Sequence, residues 1–382
     1  MRFLIPAVLV LTLAGSLLVV PTGVSAAAPE SVASVIARHR VEEAATQVRS
    51  NPLWRTPPKV VLLTFGSLGW PDREAAFKAA APRARVVAVR DLQSAVAEAA
   101  DADVIVGYNP DICNPRILDA AKQLRWLASL AAGVENCMAL PAVRKPNLLV
   151  TNMRGVDSPA IAEHAMAMIM ALAHGLDVFA SDTAKGVWSR EHAAQTRMQM
   201  LTGKTMLVVG LGGIGTEVAW RGKALGMDVV ATREGGTGKP DFVSYIGKPD
   251  ELLKLSKTAD VIVSAVPLTP QTKGMYDAKF FAVLKPSALF INIARGGSVV
   301  TDDLVKALNE QRLAGAGLDV VDPEPLPPGH PLWTAPRVLI SPHISSRNDL
   351  PGEARWILAV ENLRRYVAGE KMLQVVDVAR GY

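Results

Sequence analysis

The stretch Leu207-Val-Val-Gly210-Leu-Gly212-Gly213-Ile214-Gly215-Thr-Glu-Val-Ala219 decides how this chain of 382 residues is read. An apolar run enters a G-x-G-x-x-G turn, and a helical pattern follows. Gly210 permits the tight turn. Gly212 lets the backbone approach a pyrophosphate at the positive N-terminus of the next helix, and Gly215 allows close helix–strand packing. Alone, the motif is weak, because glycine-rich turns recur by chance. Here the strand, turn, helix and a further strand at 227–232 stand in the order that a dinucleotide cradle requires, with Gly213 and Ile214 completing the loop. Where a ribose-binding acid would end that further strand, the chain has Ala231-Thr232-Arg233. A carboxylate would accept from the 2′-hydroxyl of NAD. An arginine offers its charge to the 2′-phosphate of NADP, so NADP is expected as the preferred cofactor. Glu234 follows directly and keeps NAD possible.

Outward from the cradle, short apolar runs alternate with helical spacing. One series lies at 60–65, 85–89, 104–106, 126–129 and 148–151, with helix-like stretches at 72–81, 93–100 and 115–122. A second lies at 206–209, 229–231, 261–263, 289–293, 317–320 and 338–340. Such alternation predicts parallel sheets with helices on both faces. A long apolar helix is predicted over 159–179, joining the two series, and another over 352–368. The fold class expected is α/β, with two doubly wound parallel-sheet domains. Residues 27–57 read as a polar, Ala-rich leader with a helix over 31–48.

Residues 1–26 carry a single Arg2, an apolar run from Phe3 to Val20 and the small-residue end Val24-Ser25-Ala26. That order predicts a secretory signal cleaved after Ala26, hence export to a periplasmic or extracellular space. An uncleaved membrane anchor with a cytoplasmic domain is the alternative.

Hydrophobic residues make up 49% and charged residues 20%, which excludes both a disordered tail and a multi-pass membrane protein. The net charge of +5 is dispersed, which suits small anions and argues against a nucleic-acid groove. Cys113 and Cys137 are too few for a four-ligand zinc site, and no metal is expected. One bridge between them is possible, but they are read as free packing cysteines.

Three polar residues end strands of the second series: Arg295 after Phe290–Ala294, Glu324 in Asp319-Val-Val-Asp-Pro-Glu324, and His343 in Ser341-Pro-His343. The carboxyl ends of parallel strands converge on a ligand crevice. There a guanidinium can grip a carboxylate in bidentate fashion, and an imidazolium can give a proton to a carbonyl oxygen. A carboxylate beside the imidazole favours its charged form. The three together suit reduction of a 2-oxo acid.

The cradle, the run Ala265-Val266-Pro267-Leu-Thr-Pro-Gln-Thr272, the run Ile291-Asn-Ile293-Ala-Arg295-Gly-Gly297, the run from Gly317 through Asp319 to Pro325, and Ser341-Pro-His343 resemble the D-isomer-specific 2-hydroxyacid dehydrogenase family. The likeness extends upstream to Trp126–Glu135 and to Thr151–His164, covering roughly residues 58–382. It implies a flavodoxin-like substrate domain, residues 58–152 and 348–382, with a Rossmann NAD(P)-binding domain, 153–347, inserted into it. It implies His343 as acid/base, Glu324 as its partner and Arg295 as substrate anchor. By the same resemblance the backbone at Ala132 and Gly133 binds the substrate carboxylate, Asp319 lies near the nicotinamide carboxamide, and Val266, Pro267, Thr272 and Ile293 line the cofactor. A homodimer and a small substrate, glyoxylate or hydroxypyruvate first, are implied as well. Formate oxidation is not expected, since that subgroup carries Gln where Glu324 stands. A non-catalytic dinucleotide-binding sensor or scaffold is the rival reading, and the presence of all three polar residues counts against it. Two departures from the family pattern, Val300 and Asp157, bear on dimer contacts or loop packing rather than chemistry.

Overall fold

Runs of three to five residues rich in Val, Ile and Leu form strands that are almost wholly buried, as parallel strands covered on both faces must be. In chain order the strands are β1 (Glu43–Gln47), β2 (Lys59–Leu63), β3 (Arg85–Val89), β4 (Val104–Gly107), β5 (Trp126–Ser129), β6 (Leu149–Thr151), β7 (Thr205–Val209), β8 (Asp228–Thr232), β9 (Tyr245–Gly247), β10 (Val261–Ser264), β11 (Leu289–Asn292), β12 (Gly315–Leu318), β13 (Val338–Ile340) and β14 (Lys371–Leu373). This computed structural model describes residues 30–65, 73–236, 238–347 and 353–378, so the expected signal at 1–26 lies outside the described residues.

Two parallel sheets carry the fold. The first is five-stranded in the order β3-β2-β4-β5-β6, the flavodoxin-like order. The second is seven-stranded, β13-β12-β11-β10-β7-β8-β9, which is the dinucleotide-binding order with one strand added beyond β12. In each sheet the order reverses beside the first strand of the series, and the loops there leave a crevice at the carboxyl ends. Each sheet buries an apolar cluster on both faces.

Three local readings need correction. The apolar helix expected over 159–179 is two helices, Ser158–Ala173 and Leu176–Ala184, bent by 76°. Gly175 between them has φ +70°, and a Cβ there would meet the Thr196 side chain at 2.7 Å, so the chain turns on a residue without one. The helix expected over 31–48 is confined to Val32–Arg38. Residues Glu43–Gln47 instead form β1, antiparallel to β14. Its Val35 and the following Val48 are buried in the same cluster as the C-terminal helix Glu353–Ala368, so this segment packs on the first sheet. The cysteines, expected free, form the disulfide Cys113–Cys137 with Cα atoms 4.6 Å apart. Cys113 ends the turn after β4 and Cys137 lies in the helix Glu135–Met138 after β5. These two strands are neighbours, so their outgoing segments meet, which a separation of 24 residues does not reveal.

By constraining the unfolded chain, this bridge is expected to contribute about 3 kcal/mol of stability. Urea unfolding of the Cys113→Ala/Cys137→Ala protein checks this, and a midpoint identical to that of the oxidised protein would contradict it.

The two departures from the family pattern take structural places. Asp157 is buried and ion-paired with Arg355 of the C-terminal helix. Val300 precedes the helix Thr301–Asn309 and is partly exposed. No single helix among the described residues is long and apolar enough to cross a membrane. Nor is any group of three His, Cys, Asp or Glu among them placed to hold a metal ion.

Candidate active site

The glycine turn leaves β7 and opens the helix Gly213–Ala224. Gly210 has φ +95°, and a Cβ on it would lie 2.8 Å from the Ala265 carbonyl oxygen and 2.9 Å from Val266 Cγ1. A Cβ on Gly215 would fall 2.0 Å from the Gly210 oxygen, so the helix reaches the strand only because that position is glycine. Nothing lies within 4 Å of the corresponding point on Gly212, and no side chain caps this helix. Its first-turn N–H groups have no side-chain cap, as an anion cradle needs. Gly213 stands where a Cβ would meet Ser158 Oγ at 2.9 Å. Ile214 packs partly buried against the adjoining core. This geometry fits a dinucleotide pyrophosphate.

Around the turn, Val266 and Pro267 follow β10, and Thr272 Oγ1 donates to the Pro267 carbonyl at 2.6 Å while accepting from Thr269 N–H at 2.8 Å. Those bonds close the 267–272 loop beside the cradle. Ile293 is buried after β11. Arg233, at the end of β8, donates to the carbonyls of Gly238 and Gly236 at 2.7 and 3.3 Å. Its guanidinium is thus held by its own loop.

Arg295, Glu324 and His343 come off three adjacent parallel strands, β11, β12 and β13, and the structure brings them together. His343 Nδ1–H donates to Glu324 Oε2 at 3.0 Å, which leaves Nε2 as the ring atom turned to other partners. That hydrogen bond, outweighing burial and reinforced by the carboxylate's charge, holds the imidazole pKa above its ordinary 6.5. Burial pulls the Glu324 carboxyl upward. The His343 bond and charge, the Val321 N–H and nearby Arg295 overcome it, and the net pKa lies below the ordinary value. The pair therefore favours imidazolium beside carboxylate.

The turn bearing His343 is knitted to Asp319. Its Oδ1 accepts from Ser341 Oγ at 2.6 Å and Ile344 N–H at 2.9 Å, and Oδ2 accepts from Ser345 N–H at 3.1 Å. His343 N–H donates to the Asp319 carbonyl at 2.9 Å. Burial opposes ionisation of Asp319, but these donors prevail and keep its pKa below the usual carboxylate value. Because Ser341 gives its proton to Asp319, the contact of 2.8 Å between His164 and Ser341 must have His164 Nε2–H as donor. The tether holds His343 at φ +53°, a region that a side chain seldom occupies and that is often found where function requires it.

Opposite these groups, Ala132 and Gly133 lie on the turn after β5. Asn152 donates to the Ala132 carbonyl at 2.8 Å and Asn109 to the Gly133 carbonyl at 3.3 Å, which fixes the orientation of both peptides. A Cβ on Gly133 would fall 2.2 Å from Arg295 Nη2, so this turn abuts the guanidinium. Arg295 Nη1 donates to the Ala294 carbonyl at 2.7 Å, and Nη2 is 2.9 Å from Glu135 Oε1. Asn109, Asn152, His164, Ser341 and Glu135 were not singled out from sequence. Each acts through a contact between segments at least 20 residues apart, and no local spacing encodes that.

The chain is similar to known proteins of one family. The family model described as D-isomer specific 2-hydroxyacid dehydrogenase, NAD binding domain, matches residues 166–345. The chain is 34% identical over 263 residues to a glyoxylate reductase/hydroxypyruvate reductase of Mus musculus, covering 69% of this chain and 80% of that protein. It is 35% identical over 277 residues to a glyoxylate reductase of Thermococcus gammatolerans, covering 71% and 81%. A D-isomer specific 2-hydroxyacid dehydrogenase of Xanthobacter autotrophicus, solved with NADPH and MES, superimposes with a TM-score of 0.70 at 28% identity, covering 85% of this chain and 99% of that one. A dinucleotide cradle facing a paired histidine and carboxylate, within this family likeness, has one reading: the chain belongs to the D-isomer specific 2-hydroxyacid dehydrogenase family and is an NAD(P)-dependent enzyme of it.

Proposed function

We propose that this enzyme reduces small 2-oxo acids to D-2-hydroxy acids, glyoxylate and hydroxypyruvate first, with NADPH preferred. The observation that carries the reading is the His343–Glu324 pair, 3.0 Å apart, with Arg295 between it and the Ala132–Gly133 turn. A nicotinamide cofactor held by the glycine cradle would supply the hydride that reduction of the carbonyl needs. Arg295 holds the substrate carboxylate and carbonyl oxygen through its forked donors, and the Ala132 and Gly133 backbone receives the carboxylate from the opposite side. His343 Nε2 gives its proton to the carbonyl oxygen as that oxygen gains charge, and Glu324 steadies the ring in the orientation and charge state this needs. Run in reverse, the neutral ring takes the hydroxyl proton.

For the cofactor we assign the pyrophosphate to Gly210, Gly212, Gly213, Ile214 and Gly215, and the remaining contacts to Val266, Pro267, Thr272 and Ile293. We place the nicotinamide carboxamide near Asp319, whose carboxylate also holds the His343 turn through Ser341, Ile344 and Ser345. On this reading residues 58–152 with 348–382 form the substrate domain and 153–347 the cofactor domain. The test is nicotinamide absorbance with a panel of 2-oxo acids; cofactor binding without turnover of any of them would sink the proposal.

The preference for NADPH rests on Arg233, whose charge suits the 2′-phosphate. Arg233→Ala is expected to lower the ratio of kcat/KM for NADPH to that for NADH by about 10- to 100-fold, the worth of one or two charge-assisted hydrogen bonds. An unchanged ratio would assign Arg233 to its loop alone.

Two further expectations are proposed with their support. A homodimer is favoured by the apolar side chains exposed near one another in sequence, with Trp188 at 92% and Met200 at 69% exposure, and is read from the molar mass in solution. Export is favoured by the disulfide, since such bonds persist in oxidising compartments; N-terminal sequencing of the protein from fractionated cells would show whether cleavage follows Ala26.

A further inference from the structure

Glu135 has no part in the reaction as derived above, yet its carboxylate lies against the group that anchors substrate there. Its Oε1 is 2.9 Å from Arg295 Nη2, and both side chains are about one-third exposed, at 32% and 31%, so the pair faces the cleft rather than the core. A Cβ on Gly133 would meet both Arg295 Nη2, at 2.2 Å, and Glu135 Oε2, at 2.7 Å. Turn, guanidinium and carboxylate therefore converge on one spot. The backbone under Glu135 is fixed, because the helix Glu135–Met138 carries Cys137 of the disulfide and Asn109 holds the Gly133 carbonyl.

The consequence is electrostatic. With His343 protonated, the positive charges at the site are those of His343 and Arg295, and Glu324 and Glu135 balance them. Asp319, buried beneath the His343 turn, adds a further negative charge. Without Glu135 the two cations would face one carboxylate at the cleft, and anions of any valence would be drawn in. With it, the site is neutral or negative before substrate arrives. Arginine has five donors in a rigid fork, so Glu135 and a substrate carboxylate can share it. A second negative charge on the substrate would then be repelled by the Glu135 carboxylate.

We infer that Glu135 sets the charge class of the substrate, admitting 2-oxo acids with one negative charge and an uncharged tail and rejecting dianions such as dicarboxylic or phosphorylated 2-oxo acids. This rests on the function proposed above and names the substrate class for that same site. It makes Glu135 a specificity-determining residue.

Glu135→Gln keeps the shape and removes the charge. With oxaloacetate and 2-oxoglutarate as dianions and glyoxylate and hydroxypyruvate as monoanions, the dianion-to-monoanion ratio of kcat/KM is expected to rise by about 10- to 100-fold over the unaltered enzyme, and the gain should shrink at high salt as screening increases. A binding measurement stands independently of turnover. Oxamate and oxalate have the same shape and differ by one charge, so calorimetric titration of each into the NADP-saturated protein should show oxamate favoured, with that preference lost in Glu135→Gln. Turnover of no 2-oxo acid at all strikes the proposed function, while the oxamate–oxalate comparison still decides the role of Glu135. If both ratios stay as they were, or if both charge classes lose affinity alike, Glu135 merely supports the turn and the inference fails.

Discussion

His343→Ala is expected to lower kcat for 2-oxo acid reduction by about 10²- to 10⁴-fold while cofactor affinity stays within a few-fold, because a positioned general acid contributes on that scale. The cradle glycines lie on the turn after β7 and His343 after β13, so loss of cofactor binding in this variant would point to a folding defect instead. The pH dependence follows from the direction of the shifts. Reduction needs the imidazolium, whose pKa is raised above 6.5 chiefly by the hydrogen bond to Glu324, so the reductive rate should fall as pH rises through the raised value. Oxidation of the hydroxy acid needs the neutral ring and should rise over the same range. Glu324→Gln keeps a hydrogen-bonding side chain but removes the charge, and both limbs should move to lower pH.

Stability follows the same pair with opposite limits. The contribution from His343 is complete below its ordinary value and is lost as pH rises through the raised one. The contribution from Glu324 is complete above its ordinary value and is lost as pH falls through its depressed one. Both side chains are substantially exposed, so solvent screening keeps this contribution small. A pH–rate profile for reduction that is the same with and without Glu324 would sink the coupling.

Arg295→Lys is expected to cost about 10²- to 10³-fold in kcat/KM for 2-oxo acids, because an ammonium is a point charge and cannot reproduce a planar two-pronged grip. Most of the loss should appear as a higher KM, with a smaller fall in kcat from misplacement of the carbonyl relative to His343. Arg295→Ala should be worse than Lys, since it removes the substrate anchor and also leaves Glu135 beside the turn without its cation. Unfolding measured beside the kinetics separates these causes. If Arg295→Lys retained kcat/KM within about threefold, far short of the loss of one charge-assisted hydrogen bond, the guanidinium would not be the anchor.

Much of the fold is legible in the primary structure because its signals are local. Parallel strands buried on both faces are short apolar runs, and β3 and β5 have the very bounds that their runs suggest. The cradle is local as well, three glycines at fixed spacing between a strand and a helix, although the approach that excludes a Cβ at Gly210 comes from Ala265 and Val266 after β10. The misreadings share a cause. A continuous apolar pattern over 159–179 conceals the bend at Gly175, because the pattern reports burial and the bend comes from packing against Thr196. Polar, Ala-rich residues 43–47 carry no alternation that would mark a strand, and they form β1 because β14 offers an edge to pair with.

Residue types and spacing alone determined the dinucleotide cradle, the alternating α/β plan and the presence of an arginine, a carboxylate and a histidine at strand ends. Tertiary structure alone decided that Cys113 and Cys137 join, that Asp319 and Ser341 hold the His343 turn, and that Glu135 pairs with the Arg295 guanidinium. The physical reason is range. A helix, a strand or a glycine turn is selected by interactions within a few neighbouring residues. Glu135 and Arg295 are 160 positions apart, and only the tertiary fold, which sets the turn after β5 against the segment after β11, brings their charges to 2.9 Å.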